Sequence, residues 1–204
     1  DQVLPELNEK IHRELLRLSP SHSSAPLSFG TWVGGDRDGN PGISPGMTLD
    51  VLAQQHERGL RQLVEMIEQL AEELSVSERL TDISSELERS LRKDRELHPA
   101  VWAREHRRTS QEPYRLKCSY IHGRLLETIE RVKTGSPHQP GVDYPSPSAL
   151  LDDLLIMDRS LRQSKGDLIA DGALGRVIRV VRSIGFQLAT MDIREHAALH
   201  NAAL

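Results

Sequence analysis

The sequence predicts a mainly α fold, a helical assembly with two short strands, and three observations carry that prediction. Apolar residues recur at steps of three and four along most of the chain, the period of an amphipathic helix. Two short β-favouring runs, near 27–33 and 187–193, interrupt that period and are bounded by glycine, proline or charge. Aromatic residues make up only 3% of the 204 residues, which argues against a β-sandwich or an aromatic platform for single strands or sugars. Two strands cannot make a stable sheet alone, so these two would belong to a sheet or barrel whose other strands lie elsewhere.

Taken in order, Leu4, Leu7, Ile11, Leu15 and Leu18 form the first apolar stripe. Leu27 to Val33, between Pro26 and Gly34-Gly35, reads as a buried strand. Thr48 is placed to cap a long helix that carries Leu60, Leu63, Val64, Ile67, Leu70 and Leu74 on one side. Ser77 restarts a helix with Leu80, Ile83, Leu87 and Leu91, and Pro99 suits the first position of a short one. Pro113 opens the cleanest stripe: Tyr114, Cys118, Ile121, Leu125, Ile129 and Val132. Residues 134–147 hold Pro137, Pro140, Pro145 and Pro147 and form an irregular connection. Ser148 is placed to cap a helix with Leu150, Leu154, Met157 and Leu161; Leu174, Val177, Ile178, Val181 and Ile184 mark another, ending near Gly185. Phe186 to Ile193 reads as the second strand, with a charged turn into a final helix. The stripes differ in register and spacing, so no repeat array is expected, and residues 1–204 read as a single unit.

Charge and composition exclude several classes. A net charge of −4 provides no global basic field for nucleic acid or acidic lipid. Cys118 is the one cysteine, which rules out an internal disulfide framework or a cysteine zinc cage and fits a reducing, cytoplasmic setting. No apolar run approaches the roughly 18 residues of a membrane span. The chain starts at Asp1 without methionine and stops in the apolar stretch Ala197 to Leu204, so it reads as a fragment of something longer.

The most unusual stretch is Gly34-Gly35-Asp36-Arg37-Asp38-Gly39-Asn40-Pro41, directly after the first candidate strand. Its glycines permit positive φ and close backbone approach, and two carboxylates flank an arginine. Such a loop at the carboxyl end of a strand is where α/β enzymes place functional groups, while the plainer reading is a tight turn. A calcium loop fails because Pro41 and Met47 fall where a glycine and a bidentate acid belong, and no Gly-Lys-Ser/Thr follows for a P-loop. Met191-Asp192-Ile193-Arg194-Glu195 ends the second candidate strand, and an arginine there can grip a phosphate or carboxylate bidentately or tie strand to helix. Glu112-Pro113-Tyr114-Arg115 reads as a structural helix cap.

Other groups carry less. His196 and His200 have the spacing of a two-histidine metal pair, but no glutamate follows His196 and no third ligand is evident, so no metal site is assigned. Cys118 lies in an apolar stripe as a small core residue. Arg104, His106, Arg107 and Arg108 read as a solvated face or an inter-domain contact rather than a nucleic-acid site.

As a set, Phe29-Gly30-Thr31-Trp32-Val33-Gly34-Gly35-Asp36-Arg37-Asp38-Gly39-Asn40-Pro41, Glu112-Pro113-Tyr114-Arg115 and Met191-Asp192-Ile193-Arg194 resemble the phosphoenolpyruvate carboxylase family. The resemblance runs from about Leu27 to His200 and covers an internal part of a much longer polypeptide. It implies a largely helical enzyme around an eight-stranded α/β (TIM-like) barrel, completed elsewhere in the parent chain. The family joins bicarbonate to phosphoenolpyruvate with Mg²⁺ or Mn²⁺, giving oxaloacetate and phosphate through carboxyphosphate and the enolate of pyruvate. It also implies a homotetramer, with the remainder of the parent polypeptide as this segment's partner.

Carried over by resemblance, Arg194 contacts substrate phosphate and Trp32 lies near the bicarbonate pocket. Asp36, Arg37 and Asp38 organise the site through ion pairs, and Arg115 is similar to an arginine of a sugar-phosphate effector site. The family's catalytic histidine sits in a Thr-Ala-His-Pro-Thr string that does not occur here, and His138 does not match it. Its lysine, metal-binding carboxylates and glycine-rich mobile loop belong to other segments, so no catalytic residue or metal ligand is expected in this one. Glu195-His196 stands where the family usually reads Gln-Glu, a departure at the turn after Arg194. The alternative is a non-catalytic helical interaction module that carries only the loop.

Overall fold

The helical stripes come together in the computed structural model, which describes residues 3–19, 27–40, 42–75, 83–109 and 112–203. Helix α1 (Val3–Leu18) is followed by strand β1 (Gly30–Thr31), then by α2 (Pro45–Ser75), α3 (Ser85–Leu97), α4 (Pro99–Thr109), α5 (Pro113–Thr134) and α6 (Pro147–Gln163). A short α7 (Asp167–Ile169) runs through a π turn at Ala170–Leu174 into α8 (Gly175–Ile184). Strand β2 (Thr190–Met191) then precedes α9 (Ala197–Ala203). None of the described helices is long and apolar enough to cross a membrane.

One core joins four of these helices. Leu60, Leu63, Ile67 and Leu70 of α2 bury with Cys118, Ile121 and Leu125 of α5, Leu150, Leu154 and Met157 of α6, and Val177 and Val181 of α8. None of them is more than 3% exposed. Each large aliphatic side chain buried in this way contributes about 1.5–3 kcal/mol relative to exposure. A smaller cluster of Val101, Leu116 and Tyr120 packs α4 on α5. Burial pushes the Cys118 thiol up to about 12, against the opposing pull of the Lys117 charge, which fits its place in the core.

Helix α1 departs from its predicted stripe at Leu7 and Leu18. Leu7 and Leu18 are 40% and 83% exposed, and the residues it buries are Asn8 and His12. Leu4, Ile11 and Leu15 are half-buried on the same face as Asn8 and His12, and Glu9 pairs with Arg179 of α8 at 2.7 Å beside them.

Two expected caps are also reassigned. Ser44 Oγ accepts from Met47 N at 3.2 Å, so the helix begins before Thr48. Helix α6 starts at Pro147 after Ser146, two residues earlier than a Ser148 cap requires. Ser77 and Leu80 lie outside the described residues; Ser84 accepts from Leu87 N at 3.1 Å and caps α3. Residues 135–146 between α5 and α6 are irregular as expected, and Gly135 ends α5 at φ 67°.

The strands are shorter than predicted and pair with each other. Gly30 and Thr31 lie parallel to Thr190 and Met191, with Thr190 N and Asp192 N donating to Phe29 O and Thr31 O, both at 2.8 Å. The first run does not continue as a buried strand to Val33. Trp32 O accepts from Gly35 N at 2.9 Å, closing a turn through Gly34 at φ 80° and leaving Trp32 and Val33 63% and 64% exposed. The second run begins late because Gln187 N still bonds Ile184 O at 3.0 Å as α8 unwinds.

Candidate functional site

Because β1 and β2 are parallel, both carboxyl ends lie together, and the unusual loop and Arg194 meet there. Two further backbone bonds lock them. Arg194 N donates to Gly35 O and Arg37 N donates to Arg194 O, each at 2.9 Å, so Asp36 and Arg194 form a parallel bridge beyond the strands. The approach needs Gly35, since a Cβ there would overlap Asp192 O and lie 3.0 Å from Met191 Cγ.

The side chains then form two alternating pairs. Asp36 Oδ2 lies 3.8 Å from Arg194 Nη1, and Arg37 Nη1 lies 3.6 Å from Glu195 Oε2. The first pair is loose and its arginine 61% exposed, so it contributes at most about 1 kcal/mol and leaves the guanidinium presented to solvent. Arg37 is held more firmly: its side chain is 21% exposed, and Nη2 donates to Thr48 Oγ1 at 3.2 Å. Asp38 and Asn40 are exposed at the loop tip, where Asn40 Oδ1 accepts from Gly42 N. An open hollow runs beside them, lined by Arg37, Gly39, Asn40, Ile43, Glu195 and His196. Pro41 lies outside the described residues.

Apart from His196, which borders that hollow, the remaining sequence candidates are not joined to this end. Arg115 stands in the first turn of α5 and pairs with Glu112 at 3.0 Å, so Glu112 serves the arginine and makes no side-chain cap. His196 Nδ1 accepts from Ala198 N at the start of α9, and the side chain of His200 lies outside the described residues. Arg104 is 63% exposed and pairs with Glu105, as a solvated face should. His138 bonds Asp143 within the 135–146 connection. Among the described residues, no three His, Cys, Asp or Glu side chains gather in a way that would hold a metal ion.

Sequence reasoning missed two features. Thr48 was visible as a cap candidate, but its hydroxyl donates to Gly34 O at 2.6 Å and so belongs to the loop. The second is a buried polar network between helices. Lys117, 0% exposed, bonds Asp94 and Asp153, while Asp153 also takes Arg124 and the Tyr144 hydroxyl. Burial, reinforced by the Asp153 charge, raises the Tyr144 pKa well above the ordinary phenol value, so it donates as a neutral phenol. Lys117 sits between the apolar residues Leu116 and Cys118, and no local signal marks it.

Arginines and carboxylates are thus gathered at the carboxyl ends of two parallel strands, the position at which open α/β sheets bind their ligands. The family is more particular. The model of the phosphoenolpyruvate carboxylase family matches residues 1–204, and this chain belongs to that family. It is 35% identical to the phosphoenolpyruvate carboxylase of Roseiflexus castenholzii over 99% of this chain and 22% of that protein. With the Chromobacterium violaceum protein of the same name it shares 30% identity over 100% of this chain and 22% of the relative. With that of Thermosynechococcus vestitus it shares 31% over 99% of this chain and 21% of the relative. The chain thus spans about a fifth of the length of the curated relatives it matches. Matches along the whole chain, rather than at the loop alone, disfavour a stand-alone interaction module.

Proposed function

We propose that these 204 residues serve as one segment of an enzyme that carboxylates phosphoenolpyruvate with bicarbonate to give oxaloacetate and phosphate. The observation that carries the proposal is the lock between the loop and Arg194, which places Arg37, Asp36, Arg194 and Glu195 at one end of two parallel strands. The two strands would be neighbouring staves of a TIM-like barrel whose other strands come from the rest of the polypeptide. Residues 1–204 would act as a single helical section of the enzyme, and the family resemblance supports reading that enzyme as a cytoplasmic homotetramer.

In this reading Arg194 presents its exposed guanidinium to the phosphate, whose oxygens it can take bidentately. Trp32, exposed here, would be covered by the completed barrel and would exclude water beside the bicarbonate pocket. Asp36 and Arg37 fix the register of the strand end, and Asp38 faces the loop tip. Arg115, apart from this end, would serve an effector site. In this reading Mg²⁺ or Mn²⁺ would be held by ligands in other segments of the polypeptide, along with the catalytic histidine and lysine; among the described residues no three His, Cys, Asp or Glu side chains gather to hold a metal ion.

The test is oxaloacetate formation from phosphoenolpyruvate, bicarbonate and Mg²⁺ by the full-length polypeptide carrying this segment, wild type against Arg194→Ala. The expected result is an active wild type and a folded variant whose kcat/KM falls about 30-fold or more, the loss expected when one partner of a desolvated charge contact is truncated. A folded wild type with no activity would overturn the function, and an unaffected variant would overturn the role of Arg194.

A further inference from the structure

The loop is seated on the first turns of α2, and the seat is built from side chains that no resemblance pointed to. Thr48 is 3% exposed, and its one hydroxyl proton goes to Gly34 O at 2.6 Å in preference to Ser44 O at 3.3 Å. The same oxygen accepts from Arg37 Nη2 at 3.2 Å. One turn on, Val51 closes the space under Gly34, where a Cβ would lie 2.8 Å from Val51 Cγ2. Thr48 therefore grips the loop twice: by the carbonyl at its entry and by the guanidinium at its centre. The far side of that guanidinium faces Glu195, next to Arg194.

We propose that Thr48 is a positioning residue for Arg37, and that its hydroxyl fixes the guanidinium against Glu195 and so holds the turn that carries Arg194. The inference deepens the carboxylase reading and rests on it. Two donors on one arginine fork, one tied to Thr48 and one aimed at Glu195, leave the side chain little freedom to rotate. Without the hydroxyl, the Gly34 carbonyl and the arginine lose a partner together, and the strand end keeps its backbone bonds and its two looser ion pairs.

The experiment uses the full-length polypeptide, with Thr48→Val, Thr48→Ala and Thr48→Ser made singly and on an Arg37→Lys background. Lysine lacks the fork that reaches Thr48 and Glu195 at once. Binding of phosphoenolpyruvate is read by calorimetry without bicarbonate, and kcat/KM is measured alongside, well below the unfolding temperature. Thr48→Val should weaken binding and kcat/KM about tenfold, the scale of one hydrogen bond to a charged group. Thr48→Ser should stay within about twofold of wild type, because it keeps the hydroxyl. On the Arg37→Lys background the valine change should cost less than about twofold, the mark of a residue acting through Arg37.

Equal losses on both backgrounds, or no loss on either, overturn the proposal. If valine and alanine both prevent folding while serine does not, the hydroxyl is purely structural and the proposal also falls. A wild type that folds but does not carboxylate phosphoenolpyruvate defeats the functional reading first, and the two failures are thereby distinguished.

Discussion

Lys117 Nζ lies 2.7 Å from Asp153 Oδ1, with the lysine side chain wholly shielded from solvent inside the helical core. Its other two donors go to Asp94 Oδ2 at 2.7 Å and Ser90 Oγ at 2.8 Å, so every ammonium proton has a partner. Arg124 reaches the second oxygen of Asp153 at 2.6 Å and lies 3.9 Å over the Tyr144 ring. Two cations and two carboxylates thus balance where α3, α5, α6 and the 135–146 connection converge.

Removing the cation alone should be costly. Lys117→Met keeps much of the volume but strands Asp94 beside an unfilled partner position, and the expected loss is about 3–5 kcal/mol. Adding Asp94→Leu to Lys117→Met should recover part of it, because the uncompensated charge is then gone. Urea unfolding of the two variants decides the point: a Lys117→Met protein as stable as wild type would mean that the network contributes nothing.

Gly59 gives a prediction of opposite sign to the usual helix rule. It lies inside α2, where alanine is ordinarily favoured by about 1 kcal/mol. A Cβ at Gly59 would overlap Phe186 O and lie 2.9 Å from Phe186 C, both backbone atoms, while the Phe186 ring stacks on His56 one turn earlier. Gly59→Ala should therefore destabilise by about 1–3 kcal/mol, the range for overpacking a filled site. At Gly46 a Cβ meets only Ser44 Oγ at 3.7 Å, so Gly46→Ala should be neutral or stabilising. Matched thermal midpoints for the two variants would refute the close approach at Gly59.

Much of the helical fold was legible because its signal is local. In α2, α5, α6 and α8 the apolar period alone selects the buried face, and those stripes form the core. What depended on distant partners was not legible. Both strand runs could be found, but nothing local says that Gly30 pairs with Thr190 or that Trp32 O closes a turn so soon. The apolar members of α1 obeyed the same period, yet Leu7 and Leu18 stay exposed while Asn8 and His12 are buried, which the period does not reveal. At the candidate site, the loop and Arg194 could be read as motifs. Their juxtaposition, the second role of Thr48 and the place of Lys117 arise only from contacts between elements.

The connection between α5 and α6 should answer to acid. Asp143 is 4% exposed and accepts from Gln139 N at 2.7 Å and from His138 at 2.8 Å, with Arg131 paired at 2.7 Å. Burial alone would raise its pKa, but these donors outweigh burial and the net shift is downward. A carboxyl group depressed on folding stabilises fully above its unfolded value near pH 3.9, and that contribution is lost as pH falls through the lower folded value. Asp143→Asn should therefore be less stable than wild type at neutral pH, with the gap closing as the solution is acidified below about pH 4. Urea midpoints of both proteins across pH 2–7 test this, and a gap independent of pH would exclude the ionised carboxylate as its source.

Trp32 separates a structural from a chemical role most cleanly. It is 63% exposed in this chain, and its backbone rather than its ring closes the turn, so Trp32→Ala should shift the stability of these helices by less than about 0.5 kcal/mol. In the full-length enzyme the same change should act on the reaction. If the ring lies beside a bicarbonate pocket as proposed, it would keep water from the enolate, and without it the carbanion carbon would take a proton in place of carbon dioxide, giving pyruvate. The expected outcome is a weaker dependence of rate on productive bicarbonate capture and a higher ratio of pyruvate to oxaloacetate, with phosphate release largely maintained. Coupled assays for both products at several bicarbonate concentrations would reveal it. If the ratio and the bicarbonate dependence match wild type, the ring has no part in the pocket.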